Sequence, residues 1–256
     1  ALIMAAGAFM NFLLGFVVMV VLIAAQSEPI TSRVIYAIDD GALCGQTGLE
    51  AGDQVLAVNG RRCFVANDML YELMRTEDYS ARFTVLRGGE KVELPCVRFD
   101  TWQDDSGETH MSLGFTVYGI RKTPANVVKE AWNSVLYYGR IIFTSLMDLL
   151  RGRESINDLS GPVGIVTAIG QAASYGWQDL LQLLVLITVN LGIFNLLPFP
   201  ALDGGKVVFL LIEGVTGHAV PEKIQSGLTL AAFALLFGLM LFATYNDILR
   251  LITGAV

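Results

Sequence analysis

The residues best suited to chemistry in this 256-residue chain are the sixteen from 190 to 205: Asn-Leu-Gly-Ile-Phe-Asn-Leu-Leu-Pro-Phe-Pro-Ala-Leu-Asp-Gly-Gly. The uncharged run from Leu180 to Leu202 is long enough to cross a bilayer, which takes about 20 apolar residues. It nevertheless carries Asn190 and Asn195, is broken by Pro198 and Pro200, and stops on a carboxylate, Asp203. A proline removes a backbone donor, and an ionisable group at membrane depth is expensive. Broken backbone is tolerated there only where it is packed in protein or lines a wet cavity. Asp-Gly-Gly alone is ordinary turn chemistry and can mark the aqueous end of a span. With two asparagines and two prolines at these spacings, a buried functional site is the stronger reading.

The elements that must position this stretch are apolar and long. Mean hydropathy is +0.55; 54% of residues are hydrophobic and 16% charged. These values suit an integral membrane protein with one sizeable soluble part. Three uncharged runs are long enough to span: Ala1 to Ser27, Leu180 to Leu202 and Ile224 to Asn246. The first lacks the basic flank of a signal peptide and is read as an internal helix. A net charge of −7 argues against a nucleic-acid partner. Of 17 Lys and Arg, 14 fall between Arg33 and Arg153 on one long hydrophilic segment, so charge barely constrains orientation. Lys206 and Lys223, in a short connection between the last two spans, weakly favour a cytoplasmic side for it. The three cysteines, Cys44, Cys63 and Cys96, lack metal-like spacing and are read as small buried hydrophobes.

After Glu28-Pro29 a soluble module begins. Arg33 to Ile38 and Gln54 to Val58 are strand-like, and Asn59-Gly60 is a tight-turn signal. Asn67 is placed to cap a helix from Asp68 to Arg75. Arg82 to Leu86 and Lys91 to Val97 form a hairpin across Gly88-Gly89. Asp53 is read as a turn residue, Asp100 to Thr109 as a polar loop, and Leu113 to Ile120 as extended. Pro124 to Leu150 follows a helical pattern with Trp132, Tyr137 and Tyr138 among its apolar positions, as in a helix lying in the membrane interface or packed on the module. Gly161-Pro162-Val163-Gly164-Ile165 reads as a breaker. Asp179, Asp247 and Arg250 flank apolar runs and are read as interfacial.

The string Gly48-Leu49-Glu50-Ala51-Gly52-Asp53-Gln54-Val55-Leu56-Ala57-Val58-Asn59-Gly60, in this order of elements, resembles a PDZ domain. Such a domain binds an extended peptide as an added strand. The whole order is span, PDZ-like module, amphipathic helix, Ser160-Gly161-Pro162-Val163-Gly164-Ile165, then Asn195 to Gly205 in a span, then a last span. This resembles the site-2 protease family, intramembrane zinc metalloproteases whose bacterial type carries an extracytoplasmic PDZ domain and cuts anti-sigma factors. The segment Met4 to Phe12 is also similar to the family's second core helix, with Ala8 where a proline is common.

The resemblance implies a multi-pass α-helical membrane protein with an inserted small α+β PDZ-like domain. Its parts are a transmembrane helix at 1–27 and the PDZ-like domain at 30–99. A linker strand, amphipathic helix and GPVGI loop occupy 100–175. The motif-bearing span is 176–205, and a connection and final span fill 206–256. It implies Asp203 as a zinc ligand, and Asn190 and Asn195 as groups that hydrogen-bond the substrate backbone. Pro198 and Pro200 would interrupt the helix to bring Asp203 to the metal, and Gly204 and Gly205 would permit the turn behind it. Side-chain amides, which donate and accept, suit a substrate helix whose internal bonds must be replaced in lipid. Implied partners are a single-pass membrane substrate, a peptide at the PDZ-like domain and the bilayer of the cell membrane.

One departure stands out. A catalytic zinc takes about three protein ligands, and the family draws two from His-Glu-x-x-His, whose Glu is the general base. This chain has two histidines, His110 and His218, in no such pair. The expectation is that the histidine helix and its Glu precede Ala1, leaving these residues catalytically incomplete alone. The alternatives are a non-catalytic membrane-anchored PDZ scaffold or pseudoprotease and, last, a transporter with a broken midplane helix.

Overall fold

The computed structural model describes residues 2–253 apart from 77, 106, 154 and 156–158, with side chains from residue 6 onward. Met4 and Ala5 of the opening motif therefore lie outside the residues with described side chains. The chain divides into two compact units, Ile23–Tyr137 and Ala1–Leu22 with Tyr138–Val256.

The first unit is built on β1 (Ile30–Ile38), β2 (Gln54–Val58), β3 (Arg61–Arg62), β4 (Ser80–Arg87), β5 (Glu90–Arg98) and β8 (Phe115–Ile120). Their antiparallel sheet has the order β5-β4-β2-β1-β8, with β3 paired to β2. Asn59 and Gly60, both at positive φ, make the tight turn between β2 and β3, where Val58 faces Arg61. One short helix, α2, covers Leu43–Gln46, and α3 covers Ala66–Met74. The core is the apolar inner face: Ile35, Val55, Val58, Phe83, Val85 and Val97 of the strands pack on Met69 and Leu73 of α3.

Three expectations change in this unit. Asn67 does not cap α3; the buried Asp68 does, accepting the Phe64 amide and, at 2.9 Å, that of Val65. A carboxylate in the first turn also sits favourably on the helix dipole, which an amide does not match. The expected loop after Asp100 is a second hairpin, β6 (Asp100–Gln103) against β7 (Thr109–Ser112). Its cross-strand pair Trp102 and His110 stacks with ring centroids 4.8 Å apart, a contact the acidic turn between them hides in sequence. Cys44 and Cys63 are buried as expected, but Cys96 is exposed on the outer face of β5.

The second unit is helical. α1 (Leu2–Ala25), α6 (Trp177–Leu196) and α8 (Glu222–Thr253) are long and apolar enough to cross a membrane, over Ala6–Ala25, Trp177–Leu196 and Glu222–Thr253. Between them lie the latter part of α4 (Pro124–Leu150), α5 (Pro162–Tyr175) and α7 (Asp203–Thr216). Gly161-Pro162 starts a helix rather than breaking one, because proline at the first helical position lacks only an N–H that would be orphaned anyway. The stretch after Asp203, expected as a connection, is α7. α8 leaves large side chains such as Leu230, Phe233 and Phe237 exposed, a continuous apolar surface of the kind lipid covers.

Candidate functional site

In the helical unit, α1 and α6 meet through small residues. The buried positions of α1, Ala8, Gly15, Met19 and Leu22, recur at helical spacing, as do Val185, Thr188, Val189 and Gly192 of α6. A methyl on Gly15 would lie 3.1 Å from Thr188 Oγ1 and Val189 Cγ2, and one on Gly192 3.0 Å from the Phe12 ring. Glycine at these points is what lets the backbones approach. The pairs run in opposite senses, so the helices are antiparallel and the start of α1 reaches the end of α6. There Gly7 comes next to Asp203, whose Oδ2 lies 3.7 Å from where a Cβ on Gly7 would sit. Thr188 satisfies its hydroxyl inside its own helix, on the carbonyls of Leu184 and Val185 at 2.9 and 3.0 Å.

The path from α6 to Asp203 is a tight reversal. α6 ends at Leu196, and Leu197 turns extended at φ −62 and ψ 141, as a residue before proline must. Phe199 N–H then donates to Leu197 O at 2.7 Å and Leu202 N–H to Phe199 O at 2.9 Å. α7 begins at once with Asp203, packed so closely that a methyl on Gly204 would lie 2.2 Å from Leu197 O and one on Gly205 2.2 Å from Phe199 O. No side chain fits at either position. Both prolines and both glycines thus act on one feature, the doubling back that puts a carboxylate on the first turn of a new helix.

Asp203 has a side chain 38% exposed, and its Oδ1 accepts from Lys206 Nζ at 3.3 Å one turn later. Asn195 continues the α1-facing stripe of α6 and is half-buried, whereas Asn190 is exposed. Five residues at helical pitch put the two amides about 140° apart around the axis, so α6 does not aim them at one point. Among the described residues neither amide has a hydrogen-bond partner. A groove of about 510 Å³ opens beside Lys206 between α7 and α8, lined by Phe209, Glu213, Gln225, Thr229 and Phe233 among others.

Within the helical unit, His218 does not join Asp203. His218 lies beyond the end of α7, its Nδ1 2.9 Å from Thr216 O. His110 lies in β7, its Nε2 2.9 Å from Asp104 Oδ2, and forms with Asp104 and Glu108 the one group of metal-capable side chains among the described residues. Asp203 thus presents one carboxylate with free oxygen lone pairs, and the other described residues of the helical unit add no further metal-capable side chain around it.

The strand-rich unit offers a different surface. β8 is an edge strand. Leu70, Leu73 and Met74 of α3 face Thr109, His110, Met111 and Leu113 across a groove of about 370 Å³, with Met74 82% exposed. The unit is braced by Arg87, which enters the turn after Gly48. Its guanidinium donates to Asp53 Oδ1 and Oδ2 at 2.7 and 2.8 Å, to Glu50 at 2.6 Å and to Gly48 O at 2.7 Å. Asp53 is fully buried and also accepts the Glu50 amide at 3.0 Å, so it is a structural anchor, more than a turn residue. A smaller cavity of about 130 Å³ lies between β1 and the start of α4, lined by Arg33, Asn126, Lys129, Glu130 and Asn133. Burial there pushes the Glu130 carboxyl up to about 7 against the pull of Arg33 and Lys129.

Gly7, Gly15 and Gly192 were not legible as site residues. Their signal, small residues at helical spacing on two apolar helices, has meaning only once the helices are known to pair. The profile described as Peptidase family M50 matches residues 1–239. The zinc metalloprotease RasP of Geobacillus kaustophilus is 33% identical over 244 residues, covering 95% of this chain and 57% of that protein. The regulator of sigma-W protease RasP of Bacillus subtilis is 31% identical over 247 residues, covering 96% and 58%. The chain thus spans somewhat over half the length of these relatives.

Proposed function

The chain belongs to peptidase family M50, and we propose that it is the greater part of an intramembrane zinc metalloendopeptidase of the site-2 type. In this reading it cleaves the membrane segment of a single-pass substrate, such as an anti-sigma factor. The observation that carries it is the placement of Asp203. This carboxylate begins a helix at a proline-forced reversal, against a glycine of a neighbouring apolar helix. The rivals, a purely structural Asp-Gly-Gly turn and a transporter, need no such convergence.

The chain's own residues act as follows. Asp203 contributes one oxygen ligand to zinc, its charge favoured by the start of α7. The family's histidine ligands and general-base Glu would have to join it, since neither His110 nor His218 stands in a His-Glu-x-x-His pair. When bound, zinc supplies an activated water at neutral pH. Gly7 and the α1 stripe keep bulk away from the carboxylate. Asn195, on the α1-facing side near the break, offers a donor and an acceptor to an opened substrate backbone. Asn190 reaches that backbone only from another side of α6. Lys206 pairs with Asp203 at 3.3 Å, and its flexible side chain would leave the carboxylate free to hold a metal.

The strand-rich unit acts as a PDZ-like domain on the extracytoplasmic side of a multi-pass protein in the cell membrane. Its β8 edge and the groove along α3 take a peptide as an added strand, and so gate access to the membrane site. That groove also supports a second reading, a membrane-anchored scaffold without chemistry. One experiment separates them. In the full-length gene product, Asp203→Ala lowers bound zinc and abolishes cleavage of a single-pass reporter in liposomes. Cleavage that survives the change would remove Asp203 from the metal, and a zinc-free wild type with intact peptide binding would favour the scaffold.

A further inference from the structure

Asp247 lies near the end of α8 and was expected at an interface, yet it is 4% exposed. One oxygen, Oδ2, accepts two backbone amides from a different helix, Gly161 N–H at 2.9 Å and Gly164 N–H at 2.7 Å. These are the cap and third-residue donors of α5, whose first turn makes no side-chain cap of its own. In an ordinary capping box two local side chains serve these two donors. Here a single carboxylate from α8 serves both. Pro162 stands between them and has no N–H to satisfy.

The two glycines of the GPVG motif follow from this contact. A methyl on Gly161 would lie 2.7 Å from Thr244 N and 2.9 Å from Asp247 Oδ2; one on Gly164 would lie 2.9 Å from Asp247 Oδ1. The small, buried Ala243 completes the approach. α5 packs along both α6 and α8 and is joined to α6 through Gly176 alone. Whatever fixes the start of α5 therefore fixes the start of α6, the helix that carries Asn190, Asn195 and the reversal to Asp203. Donors left open at such a helix start are costly where water is scarce.

We propose that Asp247 is a positioning residue, an interhelical cap that clamps α5 to α8 and thereby holds α6 in register for the reaction. Its catalytic consequence rests on the protease reading; the clamp itself does not. The test uses the full-length protein in lipid nanodiscs, with other reactive cysteines replaced and spin labels at Val166 on α5 and Leu230 on α8, both exposed. Asp247→Ala broadens the distance distribution between the labels and lowers kcat/KM on a single-pass reporter about tenfold, the scale of losing charge-assisted hydrogen bonds. Asp247→Asn keeps both within about twofold, because an amide oxygen can accept the same two donors. Gly164→Ala reproduces Asp247→Ala by displacing the carboxylate, and the double variant is no worse than either single, as for one shared interaction. An unchanged distance distribution in both Asp247→Ala and Gly164→Ala, an asparagine variant as impaired as alanine, or additive losses would each overturn the clamp. Broadened distances with no cleavage even by the unlabelled wild type would leave the clamp standing and defeat the protease reading instead. Should Asp247→Ala fail to fold, the comparison of Gly164→Ala with Asp247→Asn decides alone.

Discussion

Gly204→Ala is the sharpest perturbation of the site, because the obstruction it creates is backbone. The added methyl would sit 2.2 Å from Leu197 O and 2.6 Å from Leu196 O, where real contacts fall no closer than 3.0 Å. Neither carbonyl can rotate away as a side chain would. Either the start of α7 or the end of α6 must shift by at least about 0.8 Å, the scale at which misplacement costs about 10²-fold in rate. The stability cost of such overpacking is about 1–3 kcal/mol. Gly214, on the same helix with nothing within 4 Å of its would-be methyl, is the control. Gly214→Ala gains about 0.5–1 kcal/mol from helix propensity and leaves turnover unchanged. The assay is cleavage of a single-pass reporter by the full-length protein in liposomes, with bound zinc and thermal midpoint measured on the same samples. Wild-type turnover by a folded Gly204→Ala protein would refute the argument that the reversal sets the carboxylate's position.

Other expectations follow from the strand-rich unit. Arg87→Met leaves the fully buried Asp53 carboxylate with the Glu50 amide as its remaining partner among the described residues, and costs about 3 kcal/mol by denaturant unfolding. Glu50→Ala, at the exposed end of the same arginine, costs less than about 1 kcal/mol, and equal losses from the two would refute the assignment of Asp53 as the anchor. Glu130, pushed from 4.5 up to about 7 by burial, favours the protonated form in the folded state. Its contribution is therefore fully present below about pH 4 and lost as pH rises through 7, by about 1–2 kcal/mol after screening. Glu130→Gln flattens that slope in thermal midpoints from pH 5 to 8, and an unflattened slope would point to another group. Met74→Asp, on the open wall of the groove, weakens peptides selected from a C-terminal library about tenfold without altering the melting temperature. Unchanged affinity would move the peptide elsewhere.

What was legible in the sequence was what depends on local pattern. The Asn59-Gly60 turn, the hairpin across Gly88-Gly89 and the long helix from Pro124 to Leu150 follow from residue-by-residue preference, and they lie where that preference puts them. The break after Leu196 was legible too, because Pro198 and Pro200 remove backbone donors from an apolar run, but the doubling back into α7 was not. What was hidden depends on partners distant in the chain. Nothing near Asp68 says that it, rather than Asn67, will cap α3, since the choice depends on how the chain enters from Phe64. Asp53 looks like any turn aspartate until Arg87, 34 residues on, closes over it. The strands of the second hairpin were masked because the acidic residues between them dominate the composition.

Two aspartates of the helical unit show how structure sorts residues that sequence leaves equivalent. Asp203 and Asp247 each end an uncharged run, and each was open to an interfacial reading. Asp247 is enclosed, and one of its oxygens already holds two rigid backbone donors. Recruiting it for chemistry would orphan the start of α5, so its role is to hold structure. Asp203 is more than a third exposed, and its partner among the described residues is the flexible end of Lys206 at 3.3 Å. A lysine on four rotatable carbons can withdraw at little cost, whereas a backbone amide cannot. The carboxylate that remains available is the one placed by two prolines, two glycines and the approach of Gly7. That availability, more than the charge itself, is what makes Asp203 the candidate ligand.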